Sequence, residues 1–237
     1  MPPRLKALVF GGSGAVGAEV VRGLAAAGIP VVFTYLSRKD RAEALAREVS
    51  QRAVTLDLER AEAIRALLRD LERDGAPNVF IHCAAVSRAV PLAEIADDEW
   101  SRTLAVNAGS AFVAAQGLAP AMARDGFGRI VLVGALDRTQ SIAAPVHFAA
   151  SQGMLSAMTM ALAKELGPRG VLVNMVALGL LDSGLSRDAD PKLVSDYRTF
   201  SALRRTGTPA EAARAILWLA LENAYMNGKV VPVNGGL

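Results

Sequence analysis

Three glycines near the start of the sequence have the spacing of a phosphate-binding turn. Gly12, Gly14 and Gly17 form the pattern Gly-x-Gly-x-x-Gly, which follows the apolar run "LKALVF" and opens a helical pattern. Backbone N–H groups at the start of a helix can bind a pyrophosphate, and glycine allows its close approach. The pattern therefore predicts a dinucleotide site, with a tight turn that binds nothing as the alternative.

Side chains suited to acid–base or nucleophilic chemistry are few. The sequence has two histidines, His82 and His147, and one cysteine, Cys83. A hydrogen-bonded strand histidine and a buried thiol are the simpler interpretation of His82 and Cys83, although both remain candidate reactive groups. A single cysteine excludes an internal disulfide and a thiolate metal cluster, and we expect no metal site.

Strand and helix patterns alternate along the chain. Short apolar runs predict strands, among them "LKALVFGG", "IPVVFTYL" and "GRIVLVGAL", and longer runs between them predict helices, including one over 97–124. Repeated βα units of this length force parallel strands. We therefore predict an α/β fold with a single doubly wound Rossmann domain over 1–237, in which a parallel seven-stranded sheet carries helices on both faces.

Segment 180–208 departs from this alternation. It is polar, interrupted by proline and helical only in patches. In a doubly wound fold it would lie beyond the carboxyl ends of the strands, where ligands bind. We predict a substrate or partner lid, with a plain surface loop as the alternative.

The composition is that of an ordinary globular domain. Of 237 residues, 52% are hydrophobic and 21% charged, and the formal net charge is +3. Arginines lie among acidic residues, as in "DRAEALAREV", which indicates solvated helix faces and no nucleic-acid partner. The first residues show no signal-peptide pattern, so a cytoplasmic location is expected.

Two long stretches carry no charged residue. They span 103–123 and 139–163, which is long enough for membrane helices, but polar residues and proline interrupt both. We therefore expect no membrane contact. Helices buried on more than one side, by the sheet and by a partner subunit, are the preferred interpretation.

Motifs along nearly the whole chain resemble the short-chain dehydrogenase/reductase family. They are "ALVFGGSGAVG", "VNAGSAF", "GPRGVLVNMVALG", "RRTGTPAEAARAILWLA" and "VNGGL", and they look closest to the 3-oxoacyl-[acyl-carrier-protein] reductases. The resemblance implies hydride transfer between a nicotinamide and an alcohol or ketone. In that family a Tyr is the general acid or base, a Lys lowers its pKa and a Ser polarises the carbonyl.

The resemblance places inert residues at three of the four catalytic positions. The family Ser falls at Ala135, the Tyr at Phe148 and the Lys at Gln152, whereas the catalytic Asn is retained as Asn107. A phenyl ring has no proton to give and a carboxamide carries no charge. We therefore predict a catalytically degenerate site. Substitution by a neighbouring acid stays open, the candidates being His82, Asp137 and His147.

The same resemblance places the nucleotide on the glycine turn and after the following strands. Phe10 and Ala15 stand where the family has Thr and Gly, which predicts weakened or lost NADP(H) binding. Ser37 and Arg38 favour the 2′-phosphate of NADP, unless Arg38 merely opens a surface helix. The expected cofactor-binding residues are Gly11, Ser13, Gly14, Val16, Gly17, Ser37, Arg38, Asp57 and Ala84.

Asp57 has an alternative explanation, and the sequence departs from the family pattern around Ala84 and at Leu178. Asp57 matches the family's adenine-contacting Asp, but a helix N-cap would explain it as simply. The family's Asn-Asn-Ala-Gly is replaced by the run from His82 to Ala85, which removes a polar ledge on the nicotinamide side. Leu178 replaces the Pro of a Pro-Gly element after the sixth strand.

Three functions remain open at this point. The favoured one is a non-catalytic structural or regulatory subunit of a ketoreductase assembly. The second is an NADPH-dependent 3-oxoacyl reductase-like enzyme, or a lyase or isomerase, with a non-standard mechanism, and the third is an NADP(H)-sensing protein. Because the family's corresponding helices pair across a two-fold axis, we expect a homo-oligomer, or a hetero-oligomer with a catalytic short-chain reductase. A carrier-protein-linked substrate is also expected from the resemblance.

Overall fold

The computed structural model describes residues 4–135 and 143–237. Its seven strands form one parallel sheet in the order β3-β2-β1-β4-β5-β6-β7. The strands are β1 (Ala7–Phe10), β2 (Val31–Tyr35), β3 (Arg52–Thr55), β4 (Val79–His82), β5 (Gly128–Ala135), β6 (Val171–Leu178) and β7 (Val230–Val233). The helices are α1 (Ala15–Ala26), α2 (Lys39–Val49), α3 (Ala61–Arg73), α4 (Asp97–Leu104), α5 (Ser110–Arg124), α6 (Val146–Leu166), α7 (Pro191–Phe200) and α8 (Pro209–Leu221).

Helices cover both faces of the sheet, so the predicted doubly wound α/β fold is confirmed. Successive side chains of a strand point to opposite faces. In β1, Leu8 and Phe10 join the core shared with α3, α5 and α6, whereas Ala7 and Val9 join the core shared with α1, α2 and α8. These four residues are at most 2% exposed, which explains why the strand reads as a continuous apolar run.

The helix predicted over 97–124 contains an irregularity that the sequence did not reveal. A π-helical turn over Ala105–Gly109 separates α4 from α5. At its end the Ser110 hydroxyl donates to the Val106 carbonyl oxygen at 2.7 Å. Turns of this kind inside helices are frequent at functional sites, and Asn107 lies at the centre of this one.

Segment 180–208 contains a 3-10 turn, Gly184–Asp188, and helix α7. We call it the lid segment, and its role as a lid stays a prediction. It is attached to the chain that follows β7. The Tyr197 hydroxyl donates to the carbonyl oxygen of Asn234, and the Leu203 N–H donates to that of Gly235 at 3.0 Å. These bonds fix α7 beside the carboxyl ends of β6 and β7.

Where the structure describes them, the two uncharged stretches lie mainly in helices α5 and α6. Among the residues described, no helix is both long and apolar enough to cross a bilayer. Helices α5 and α6 bury one face against the sheet and leave apolar side chains outside, with Phe112 50%, Met154 45% and Met160 38% exposed. A partner that covers these side chains stays a prediction.

Candidate nucleotide and active-site cleft

The glycine turn leaves β1 and enters α1 in a conformation that requires glycine. Gly11 has φ +73°, and a Cβ built on it would lie 2.8 Å from the Ala84 backbone. A Cβ on Gly17 would lie 2.2 Å from the Gly11 carbonyl oxygen. Helix α1 begins after Gly14 without an acidic residue in its first turn. Its first N–H groups are therefore available to an anion, and the turn fits a pyrophosphate.

The two departures at this turn lie in different surroundings. The Phe10 side chain is fully buried, and its ring packs edge-on against Phe80 at 5.1 Å between centroids. The ring therefore occupies the core and not the space over the turn. Ala15 opens α1, and a Cβ built on Gly184 of the lid would approach the Ala15 Cβ to 3.4 Å. The lid thus passes directly over the start of α1.

The residues expected to select the nucleotide are accessible. Ser37 and Arg38 are exposed, and Arg38 occupies the N-cap position of α2. No described carboxylate pairs with Arg38, so its guanidinium is available to a phosphate. Asp57 is not a helix N-cap, since that position before α3 is Arg60. Its carboxylate instead accepts the N–H of Glu59 at 3.0 Å and orders the turn after β3.

Asn107, the retained catalytic residue of the sequence analysis, is fully buried and fully bonded. Its Oδ1 accepts the Val86 N–H at 2.7 Å, and its Nδ2 donates to the Val86 carbonyl oxygen at 2.9 Å. The second Nδ2 hydrogen goes to the Ser151 hydroxyl oxygen at 3.0 Å. Asn107 thereby joins the segment after β4 to helix α6.

Gln152 continues this set of bonds to the end of β5. Its Nε2 donates to the Ser151 hydroxyl oxygen at 3.1 Å, while its Oε1 accepts the Ala135 N–H at 2.8 Å. The side chain is only 2% exposed, and Gly134 leaves room for it, because a Cβ there would lie 2.5 Å from Gln152 Oε1. We call the bonded set Val86, Asn107, Ser151, Gln152 and Ala135 the amide clamp.

Phe148 lies one helical turn before Gln152 on the same side of α6. Its side chain is partly exposed and belongs to neither buried core. The Ser151 hydroxyl donates to its carbonyl oxygen at 2.6 Å. Positions 135 and 152 are therefore bonded directly, whereas position 107 and the backbone of 148 are joined to them through the Ser151 hydroxyl.

The remaining candidate acids are unsuited to proton transfer in the cleft. Burial lowers the pKa of His82 to about 4, so its ring is neutral near pH 7. Because the Ser110 hydroxyl donates to Val106, His82 Nε2 donates to Ser110 Oγ at 2.7 Å. Burial raises the pKa of the Cys83 thiol to about 12, so the nucleophilic thiolate is scarce.

His147 faces away from the cleft. It is fully buried, and its Nε2 lies 3.7 Å from Glu99 Oε1 of α4. This agrees with the rotation of about 100° that one helical residue brings relative to Phe148. Asp137 lies outside the described residues. In the part of the chain that the structure describes, no cluster of three or more His, Cys, Asp or Glu side chains is placed to hold a metal ion.

Comparison with known proteins agrees with this arrangement of sheet, glycine turn and cleft. The family described as Enoyl-(Acyl carrier protein) reductase matches residues 12–237. The 3-oxoacyl-[acyl-carrier-protein] reductase MabA of Mycobacterium tuberculosis is 30% identical over 232 residues, which cover 97% of this chain and 91% of that protein. The chain belongs to the short-chain dehydrogenase/reductase family.

Solved structures of short-chain dehydrogenases/reductases superpose over the full domain. A short-chain dehydrogenase/reductase from Serratia marcescens has a TM-score of 0.88 and 31% identity, with 98% of this chain and 97% of that chain covered. The structure of BdcA in complex with NADPH has a TM-score of 0.88 and 27% identity, with 98% and 94% covered. Relatives of this short-chain dehydrogenase/reductase thus include 3-oxoacyl reductases and a protein that binds NADPH.

Sequence reasoning missed two members of the amide clamp. The part of Ser151 could have been detected from the sequence, because Ser151 is a polar residue beside Gln152 in an uncharged helix. Val86 carried no signal, because it participates through its backbone. Its partner Asn107 is distant in sequence and meets it only through the tertiary fold.

Proposed function

We propose that this short-chain dehydrogenase/reductase is a degenerate member of the 3-oxoacyl reductase group, which binds NADP(H) and serves as a non-catalytic subunit beside an active reductase. In this proposal Ala135, Phe148 and Gln152 replace the family's Ser, Tyr and Lys. The observation that carries it is the hydrogen bond from the Ala135 N–H to the buried Gln152 carboxamide at 2.8 Å. The side chain at the position of the family's Lys, Gln152, therefore forms a structural hydrogen bond.

The proposed substitutions remove each proton-handling group. Ala135 offers no hydroxyl, Phe148 has no ionisable hydrogen, and the Gln152 carboxamide carries no charge to lower the pKa of a neighbour. Both Asn107 amide hydrogens are already bonded to Val86 and Ser151. The site consequently lacks a route by which a proton could reach a ketone oxygen from these residues.

The expected loss of rate is large. Removing a general acid typically costs about 10² to 10⁴ in rate, and removing an oxyanion donor about 10² to 10³. The two factors need not multiply, because residues that act as a unit are non-additive. Either one alone would leave a poor reductase.

Nucleotide binding is the property of the cleft that the proposal retains. The start of α1 would hold the pyrophosphate of NADP(H), with Arg38 and Ser37 at the 2′-phosphate and Asp57 towards the adenine. When bound, the nicotinamide supplies a hydride donor or acceptor. The chain's own residues would bind and orient it, and the amide clamp holds the end of β5 against the first turns of α6.

The proposed partner contact uses the outer faces of α5 and α6. Phe112 and Met154 are about half exposed, and Gly153 has open space where a Cβ would be. Exposed apolar side chains next to small residues suit close packing of helices from a second subunit. The second subunit is either a copy of this chain or an active short-chain reductase.

The names of the relatives favour a second candidate. MabA is named as a 3-oxoacyl-[acyl-carrier-protein] reductase, and its similarity extends over 97% of this chain. That similarity supports an NADPH-dependent 3-oxoacyl reductase-like enzyme more directly than a subunit without activity. Such an enzyme would need a proton donor other than Phe148, either water or a residue of 136–142 such as Asp137.

The two candidates are separated by steady-state assays with NADPH and an acetoacetyl thioester. We expect negligible turnover by the purified chain and a measurable rate for the combined variant Ala135→Ser, Phe148→Tyr and Gln152→Lys, provided that it folds. Turnover near about one per second by the unmodified chain would favour the enzyme. Co-purification with an active short-chain reductase, whose rate rises in the complex, would support the subunit.

A further inference from the structure

Thr34 of strand β2 holds the glycine turn that follows β1 through two hydrogen bonds. Its Oγ1 accepts the Gly11 N–H at 3.2 Å, and its carbonyl oxygen accepts the Gly12 N–H at 2.9 Å. Thr34 is only 1% exposed, and within the described chain its Oγ1 is the one acceptor of the Gly11 N–H. The neighbouring Phe10 offers no polar group for this purpose, because its ring is buried against Phe80. The turn therefore depends on a side chain from strand β2.

The two bonds fix the orientation of two consecutive peptide groups. The peptide between Phe10 and Gly11 accepts the Cys83 N–H on its carbonyl oxygen at 2.9 Å, and its own N–H donates to Thr34 Oγ1. The next peptide accepts the Gly14 N–H on the Gly11 carbonyl oxygen at 3.0 Å, and its N–H donates to the Thr34 carbonyl oxygen. Each peptide group is thus held on both sides, and Thr34 supplies one side of each.

The orientation of these peptides determines which N–H groups are left for a bound anion. The Gly14 N–H is used within the turn, whereas the N–H groups of Ser13, Ala15 and Val16 donate to no described residue. N–H groups of this kind at the start of a helix are the ones that bind a phosphate. Their directions follow from the path of the chain through Gly11, so they depend on the bonds that hold it.

We propose that Thr34 is a positioning residue of the nucleotide site, which keeps the glycine turn in the conformation that binds the pyrophosphate. This inference rests on the NADP(H) binding of the proposed function and adds to it a residue that lies outside the glycine pattern. Without Oγ1, the Gly11 N–H has no acceptor in the fold, and its peptide group would rotate towards another one. The Gly11–Gly14 bond would be disturbed with it. Restoring the turn would then reduce the free energy available for binding.

The test is calorimetric titration of the full chain carrying Thr34→Val, which keeps the shape of the side chain and removes its oxygen. We expect about tenfold weaker binding of NADPH, and of NADH as well, because both contain the pyrophosphate. Adenosine 2′-monophosphate lacks the pyrophosphate, so its affinity should not change. A general loss of stability would weaken all three ligands alike. Thr34→Ser retains the oxygen and should bind NADPH as the unmodified chain does.

Thr159→Val is the matched control. Thr159 is fully buried in α6, where its hydroxyl donates to the Leu155 carbonyl oxygen at 2.8 Å, so the same chemical change there should leave NADPH affinity unchanged. Thr34→Ala should lose affinity in the same direction as Thr34→Val, and it keeps the test decisive if the valine variant does not fold.

Two kinds of result would overturn the assignment of Thr34. Equal NADPH affinity of the unmodified chain and Thr34→Val, or an equal loss for adenosine 2′-monophosphate, would overturn it and leave the proposed function standing. An unmodified chain that binds no NADPH would overturn the proposed nucleotide binding and this inference together.

Discussion

The carboxamide oxygen of Gln152 accepts the backbone N–H of Ala135 at 2.8 Å, so a helix side chain closes the end of strand β5. The same carboxamide donates to Ser151, which links it to Asn107 and Val86. Polar groups in a satisfied buried network rigidify their surroundings, whereas removing one member leaves the others unpaired. The residues at the expected catalytic positions therefore contribute to the fold.

Replacing Gln152 with alanine should destabilise the protein. The change leaves the Ala135 N–H without its acceptor and Ser151 with one donor fewer, so we expect a loss of about 1–3 kcal/mol in the free energy of unfolding. Urea unfolding measures it. Gln116→Ala is the control, because Gln116 is exposed on α5 and forms no hydrogen bond with a described residue. Equal effects of the two substitutions would show that the amide clamp contributes nothing to the free energy of unfolding.

Arg38 should determine the preference between the two nicotinamide nucleotides. We expect Arg38→Ala to weaken NADPH binding by about tenfold and to leave NADH binding almost unchanged, because only NADPH offers a 2′-phosphate. Calorimetric titration of both nucleotides gives the ratio. Arg41→Ala removes a nearby exposed cation of α2 and should alter neither affinity. A variant that loses both nucleotides equally would contradict the assignment.

His82 should make the stability sensitive to acid. Its pKa in the folded protein is about 4, below the value of about 6.5 expected when unfolded. The contribution of the neutral His82 ring to the free energy of unfolding is therefore fully present above pH about 6.5. As the pH falls towards 4, roughly 3 kcal/mol of it is lost progressively. His82→Asn should flatten this dependence of the unfolding free energy. An identical pH profile for the variant would exclude His82 as the cause.

Charged substitutions on the outer faces of α5 and α6 should dissociate an oligomer built on them. We expect Phe112→Glu combined with Met154→Glu to shift the native mass towards the monomer, because carboxylates would be buried without partners. Leu36→Glu, at an exposed apolar site after β2, is the control. Ala114 is unsuitable for this purpose because it is fully buried in the core, and a glutamate there would disrupt folding. A native monomer before any substitution would exclude this contact.

Much of the fold was predictable because its signals are local. The apolar strands and the glycines after β1 appear as short patterns, and Gly11 and Gly17 proved to be positions where a Cβ would clash. The burial of Ala114 was not predictable, since an uncharged helix does not reveal which of its faces meets the sheet. The amide clamp was not predictable either. Its bonds join residues far apart in sequence, and one member acts through its backbone.

The attachment of the lid segment to the chain after β7 has a practical consequence for handling the protein. Tyr197 and Leu203 are bonded to the backbone of Asn234 and Gly235, so the last residues described act as a strap across α7. Deleting residues 234–237 would remove both carbonyl acceptors and detach the lid segment from this edge of the sheet. Whether these four residues are present therefore decides whether a binding measurement reports on an intact lid segment.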